Sequence, residues 1–239
     1  MSRLKRSLLA WHRKLPLSDS SAVSFENIED LAVAVCQTRP DQLHVGLVYI
    51  RDEVTPILCH LAWHHMLRFE DPVVRPSWSI SNIHWQEVNL DHINRRVIAG
   101  WLEDLRSNPN DIPYGFDIEP PVFSANGQYI VQPNGKGLTC ATFVVEVYRA
   151  NALPLLDEDT WPSRFDEDTS WQEQILEFLR NTGAEESHID ALSSDIGCVR
   201  FKPEEVAAAT LQEDRPVSFD ECVNLAHEIR RVVLASTNP

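Results

Sequence analysis

Two apolar runs separated by a short polar break do most to limit the folds open to this chain. Residues 43–50 read L-H-V-G-L-V-Y-I, and residues 57–69 read I-L-C-H-L-A-W-H-H-M-L-R-F. The first is rich in β-branched and aromatic residues, which is strand composition. Residues 51–56 are polar and close on Pro56, which reads as a turn. By composition the second run fits a strand or a helix. Its position after a strand and a turn predicts a strand paired with the first.

Periodicity then supplies helices to cover such a sheet. Residues 25–35 carry apolar side chains at 25, 28, 31, 32 and 35, which predicts a helix. Residues 91–105 read as a helix capped by Asp91, with Ile93, Val97, Trp101, Leu102 and Leu105 apolar. A helix is expected from Thr139 to Ala150. Another is expected over 203–211, opening Pro-Glu-Glu, and another over 218–236, with Ser218 and Glu221 in capping-box register. Further short strands are expected within 78–90 and at 128–131, a loop over 108–121 and a turn at 134–137. The expected class is α+β. The expected organisation is a helical lead-in (1–39), a core (40–156) and an acidic helical extension of the same domain (157–239).

Charge excludes some partners. The chain has 36 acidic against 21 basic residues, a net charge of −15. Clustered cations that would neutralise nucleic-acid phosphates are absent, except for Arg3, Lys5, Arg6, Arg13 and Lys14, which read as a solvated helix face. The apolar run at 8–11 is cut by His12 and Arg13, short of the roughly 7–15 residues of a secretory core. No stretch approaches the ~20 apolar residues of a membrane span. Five cysteines (36, 59, 140, 198, 222), an odd number without C-x-x-C, are expected to be reduced. The expectation is a cytoplasmic protein without integral membrane association.

The segment G-L-T-C-A-T-F-V-V-E-V-Y, residues 137–148, carries the strongest chemical signal. Cys140 follows a glycine-containing turn and opens a helix. Helix N-termini offer free N–H groups and partial positive charge, which favour a thiolate and can hold an oxyanion. A nucleophilic thiol needs a base, and His44 at the start of a rigid strand suits that role, with Gly46 leaving room for close approach. On a strand, His60 and His64 share a face, and either is a candidate to orient His44. Tyr114 in I-P-Y-G-F-D is a candidate for lining the cleft. The pairs Glu70–Asp71 and Glu185–Glu186 read as solvated charge.

H-V-G-L-V-Y-I followed by I-L-C-H-L resembles the histidine strand and next strand of the NlpC-type papain-like cysteine peptidase superfamily. G-L-T-C-A-T-F-V resembles its nucleophile helix. His44 precedes Cys140, the order of the circularly permuted branch that includes lecithin-retinol acyltransferase-like proteins. The resemblance covers roughly residues 40–156. It departs at Thr139, where Asp or Tyr is usual, and at Val48, where Tyr is common. It implies a permuted papain-like fold, a small antiparallel sheet on the nucleophile helix, with additional C-terminal helices. It also implies Cys140 as nucleophile, His44 as base and His60 as third polar group, with no cofactor or metal. The implied function is a thiol hydrolase or acyltransferase acting on a peptide, amide or other acyl substrate, foremost a peptidase or amidase. Two alternatives stand beside it. One is an inactive papain-like binding module using the acidic segment with Trp161 and Trp171. The other is a zinc hydrolase built on His60, His64 and His65, which would need residues 57–69 to be helical.

Overall fold

A computed structural model describes residues 17–52, 54–74 and 79–236. The expected residues 43–50 form the centre of β3 (Gln42–Arg51), and the second run pairs with it as β4 (Thr55–Trp63). The run does not continue to Phe69 as one strand. It turns at His64 and His65, which adopts φ 57°, and returns as β5 (Met66–Glu70). With β1 (Ser18–Asp19), β2 (Leu31–Arg39) and β6 (His84–Glu87) these make an open six-stranded sheet, ordered β1-β6-β2-β3-β4-β5, with every neighbouring pair antiparallel.

Among the described residues six α-helices accompany the sheet: α1 (His92–Ser107), α2 (Cys140–Ala150), α3 (Phe165–Asn181), α4 (Glu186–Ser193), α5 (Pro203–Thr210) and α6 (Phe219–Ala235). The caps fall where the sequence puts them. Asp91 accepts from the Asn94 N–H at 2.9 Å, and Glu221 accepts from the Ser218 N–H at 2.8 Å. Helix α2 packs on β3 and β4, while α5 packs on β2 and β3. Leu47, Leu61, Leu102, Phe143 and Val206 belong to the resulting core cluster. Each fully buried side chain of this kind contributes about 1.5–3 kcal/mol. The opposite sheet face buries Ala34, Val48 and Leu58 beneath Phe25 and Ile28.

Four expectations are corrected. Residues 25–35 are not a helix: a 3-10 turn (Phe25–Asn27) leads into β2, whose run L-A-V-A-V-C is buried on both faces. A central strand has no polar face, so its pattern imitates a buried helix. The lead-in over 1–39 is therefore not helical in its second half, because β2 lies at the centre of the sheet, between β6 and β3; residues 1–16 and the basic cluster lie outside the described residues. Residues 128–131 make only a bridge between Phe123 and Tyr129. Ile93 and Val97 of α1 are 62% and 51% exposed, so its buried stripe is narrower than the periodicity suggests. Among the described residues no helix is long and apolar enough to cross a membrane.

Candidate active site

Helix α2 begins at Cys140 because Thr139 caps it. The Thr139 hydroxyl accepts from the Thr142 N–H at 3.1 Å, and the Thr142 hydroxyl accepts from the Thr139 N–H at 2.7 Å. This reciprocal cap satisfies two N–H groups that a helix start leaves open, and it gives Thr139 a structural task. Cys140 is 8% exposed. It lines a cavity of about 500 Å³ together with His44, Trp63, Tyr114, Ile175 and Phe178. The cavity lies where the sheet becomes irregular. Register shifts occur between Gln37 and Arg39 and between Leu61 and Trp63, and Arg39 and Trp63 are cavity-wall residues. The β3–β4 ladder runs from Leu47 opposite Cys59 to Arg51 opposite Thr55, and Gln42–Gly46 continue beyond it paired with β2. Bulges beside a cleft commonly re-aim side chains in this way.

His44 and His60 meet on one face of the sheet. His44 Nε2 and His60 Nδ1 are 2.8 Å apart, with the rings nearly perpendicular at 87°. Gly46 permits this approach: a Cβ there would lie 2.8 Å from His60 Cβ and 2.9 Å from the Cys59 carbonyl oxygen. His60 Nε2 is 3.6 Å from the Glu70 carboxylate. Glu70, read from sequence as solvated charge, thus lies behind the histidine pair. The hairpin turn at His64–His65 that returns Glu70 to this position was the missing signal.

The electrostatics differ from those of an ionised thiolate–imidazolium pair. Burial pushes the Cys140 thiol up to about 11, partly offset by the N–H of Val45, the charge of Arg200 and the N–H groups of Ala141 and Cys140. Burial, with the neighbouring His60, pulls His44 well below the usual histidine range. Both groups are neutral at pH 7. The expected lowering of the thiol pKa by the helix terminus is corrected, because desolvation outweighs it.

His64 does not orient His44. It lies in the turn, where its Nδ1 accepts from the Tyr114 N–H at 3.0 Å and its ring packs near His65 and His188. His65 pairs with Asp111 at 2.6 Å. The strand–turn–strand geometry therefore sends His60 one way and His64 and His65 another. Among the described residues no group of three or more His, Cys, Asp or Glu side chains is placed to hold a metal ion. Of the two tryptophans of the acidic segment, Trp161 is buried and Trp171 is half-buried. Trp161 is 5% exposed and donates to Glu205 at 3.1 Å, and Trp171 packs on Phe116. Helix α3 of the acidic segment instead supplies cavity wall through Ile175 and Phe178. No protein-family model, curated protein or solved structure matches the chain.

Proposed function

We propose that the chain is a cysteine-nucleophile hydrolase or acyltransferase acting on an amide, ester or thioester, foremost as a peptidase or amidase of the permuted papain-like kind. One observation carries the reading: His44, held 2.8 Å from the buried His60, lines the same cavity as a cysteine at the N-terminus of a helix. Glu70 favours a proton on His60 Nε2, so His60 Nδ1 accepts from His44 Nε2–H. That tautomer leaves His44 Nδ1 as the basic nitrogen. The proton of the Cys140 thiol passes to His44 Nδ1 as the sulfur attacks the carbonyl carbon. The oxyanion is held by the Cys140 N–H. The leaving group takes the proton from His44, and water or another acceptor then releases the acyl group from sulfur.

A second reading, a binding module without turnover, draws support from the burial of Cys140 and its raised pKa. Iodoacetamide alkylation resolved by cysteine, over a range of pH, separates the two. A thiol with a pKa of about 11 is ionised to roughly one part in ten thousand at pH 7. Assistance by His44 makes Cys140 alkylate far faster than that fraction allows, and His44→Ala removes the excess. Cys140→Ala abolishes turnover of any substrate found. A pH profile identical in wild type and His44→Ala rejects the enzyme reading.

A further inference from the structure

The cavity wall has a charge opposite to that of the protein. The chain as a whole is at −15, yet the wall carries Arg39 and Arg68 and one carboxylate, Glu70, which faces His60. A third arginine, Arg200, lies next to the nucleophile. It shares with Cys140, Tyr114, Thr139 and Ala141 a recess of about 20 Å³, and Tyr114 and Cys140 are common to the recess and the large cavity. That volume admits about one oxygen atom. The Arg200 guanidinium is stacked on Trp171, 3.8 Å from the ring centroid, which fixes its plane. Glu204 and Asp168 attract it from a distance. Among the described residues, no carboxylate lies within 4.0 Å of Arg39, Arg68 or Arg200. Arg39 and Arg68 are exposed, but Arg200 is half-buried, and an arginine drawn out of water is normally paired, since removing a cation from water is costly without a partner. A planar guanidinium held by stacking is suited to recognising a carboxylate.

We propose that the substrate of Cys140 carries a carboxylate close to the scissile carbonyl, recognised by Arg200, with Arg39 and Arg68 drawing the anion into the cavity. This rests on the reading of Cys140 as a nucleophile. Arg200 then determines specificity: it selects which acyl donor is held while sulfur attacks. In the corresponding reaction of an activated ester such as 4-nitrophenyl hemisuccinate, the Cys140 S–C bond forms, the C–O bond breaks and 4-nitrophenolate leaves. Water then hydrolyses the succinyl thioester.

The test compares iodoacetate with iodoacetamide, a pair that differs in charge at nearly equal size. In both cases sulfur displaces iodide, and the thiol proton leaves to His44 or solvent. The rate ratio at Cys140 is measured by mass spectrometry on the full chain and referred to the same ratio for N-acetylcysteine. Wild type is expected to favour iodoacetate by roughly tenfold or more over that reference, the scale of one charge-assisted hydrogen bond. Arg200→Gln is expected to abolish the iodoacetate preference, beyond any fall shared by both reagents from losing a positive charge beside the thiol, and Arg200→Lys to retain part of it. A urea midpoint close to that of wild type shows that the variant is folded. If wild type shows no preference, or Arg200→Gln keeps it, the inference fails and the nucleophile reading stands. If Arg200→Gln slows both reagents equally, the guanidinium serves the thiolate and not the substrate charge, which also overturns the inference. If Cys140 is inert to both reagents, the nucleophile reading and the inference fall together.

Discussion

Replacing Gly46 with alanine tests the geometry on which the site depends. The new Cβ would sit 2.8 Å from His60 Cβ, 2.9 Å from the Cys59 carbonyl oxygen and 3.1 Å from a Leu58 methyl. Carbon atoms are comfortable at about 3.5 Å or more, so β3 and β4 must separate by roughly 0.7 Å. The obstacles are a backbone oxygen and a Cβ, neither of which can swing aside as a chain terminus does. The same displacement added to the 2.8 Å His44–His60 contact brings it to the limit of a hydrogen bond, about 3.5 Å. Overpacking of this kind costs about 1–3 kcal/mol, which a domain of this size survives. The expected outcome is a folded protein with a lower urea midpoint. Its Cys140 is expected to alkylate at pH 7 at close to the rate of the His44→Ala variant. The ring ¹⁵N signals of His44 are expected to show mixed tautomers where wild type shows one. A Gly46→Ala protein with wild-type stability, alkylation rate and ring signals refutes the argument that the absent side chain holds the pair together.

Two further outcomes follow from the same structure. Glu70→Ala is expected to slow Cys140 alkylation about threefold to tenfold, less than His60→Ala. The carboxylate is 3.6 Å from His60 and partly hydrated, so its influence is modest; an effect equal to that of His60→Ala contradicts this ranking. Glu146 lies 2% exposed on α2, and burial pushes its carboxyl up to about 7 despite Arg149. A carboxyl raised in the folded state holds its proton there after the unfolded chain has released it. Stability from this group is therefore complete below about pH 4.5 and declines by up to roughly 3 kcal/mol as pH rises to about 7. Urea unfolding is expected to show Glu146→Gln gaining on wild type between pH 5 and pH 8; an equal difference at both pH values removes the claim.

Local signals made much of this molecule legible. Strand β3, helices α1, α2, α5 and α6, the Asp91 cap and the Ser218–Glu221 register follow from side-chain type and spacing, because caps and amphipathic faces act over a few residues. Cys140 at a helix start and His44 on a strand were legible for the same reason. Strand β2 was not, because burial on both faces erases the period that separates strand from helix. His60 could not be chosen over His64 until the turn at residues 64–65 put them on different elements.

Tertiary structure alone decided how the site is charged. Asp or Glu near a His is uninformative in a list of residues, and Glu70 gained its place only when β5 folded back beside β4. Arg200 is 60 residues from Cys140 in the chain and reaches it through the packing of segments that no local pattern connects. The resting protonation state likewise depends on burial. The helix terminus, which the sequence reveals, favours a thiolate, and the desolvation that opposes it exists only once the sheet and helices close around the sulfur. Sequence by itself determined which groups are present and which elements carry them; the distances and the loss of water that set their chemistry come from the packed whole.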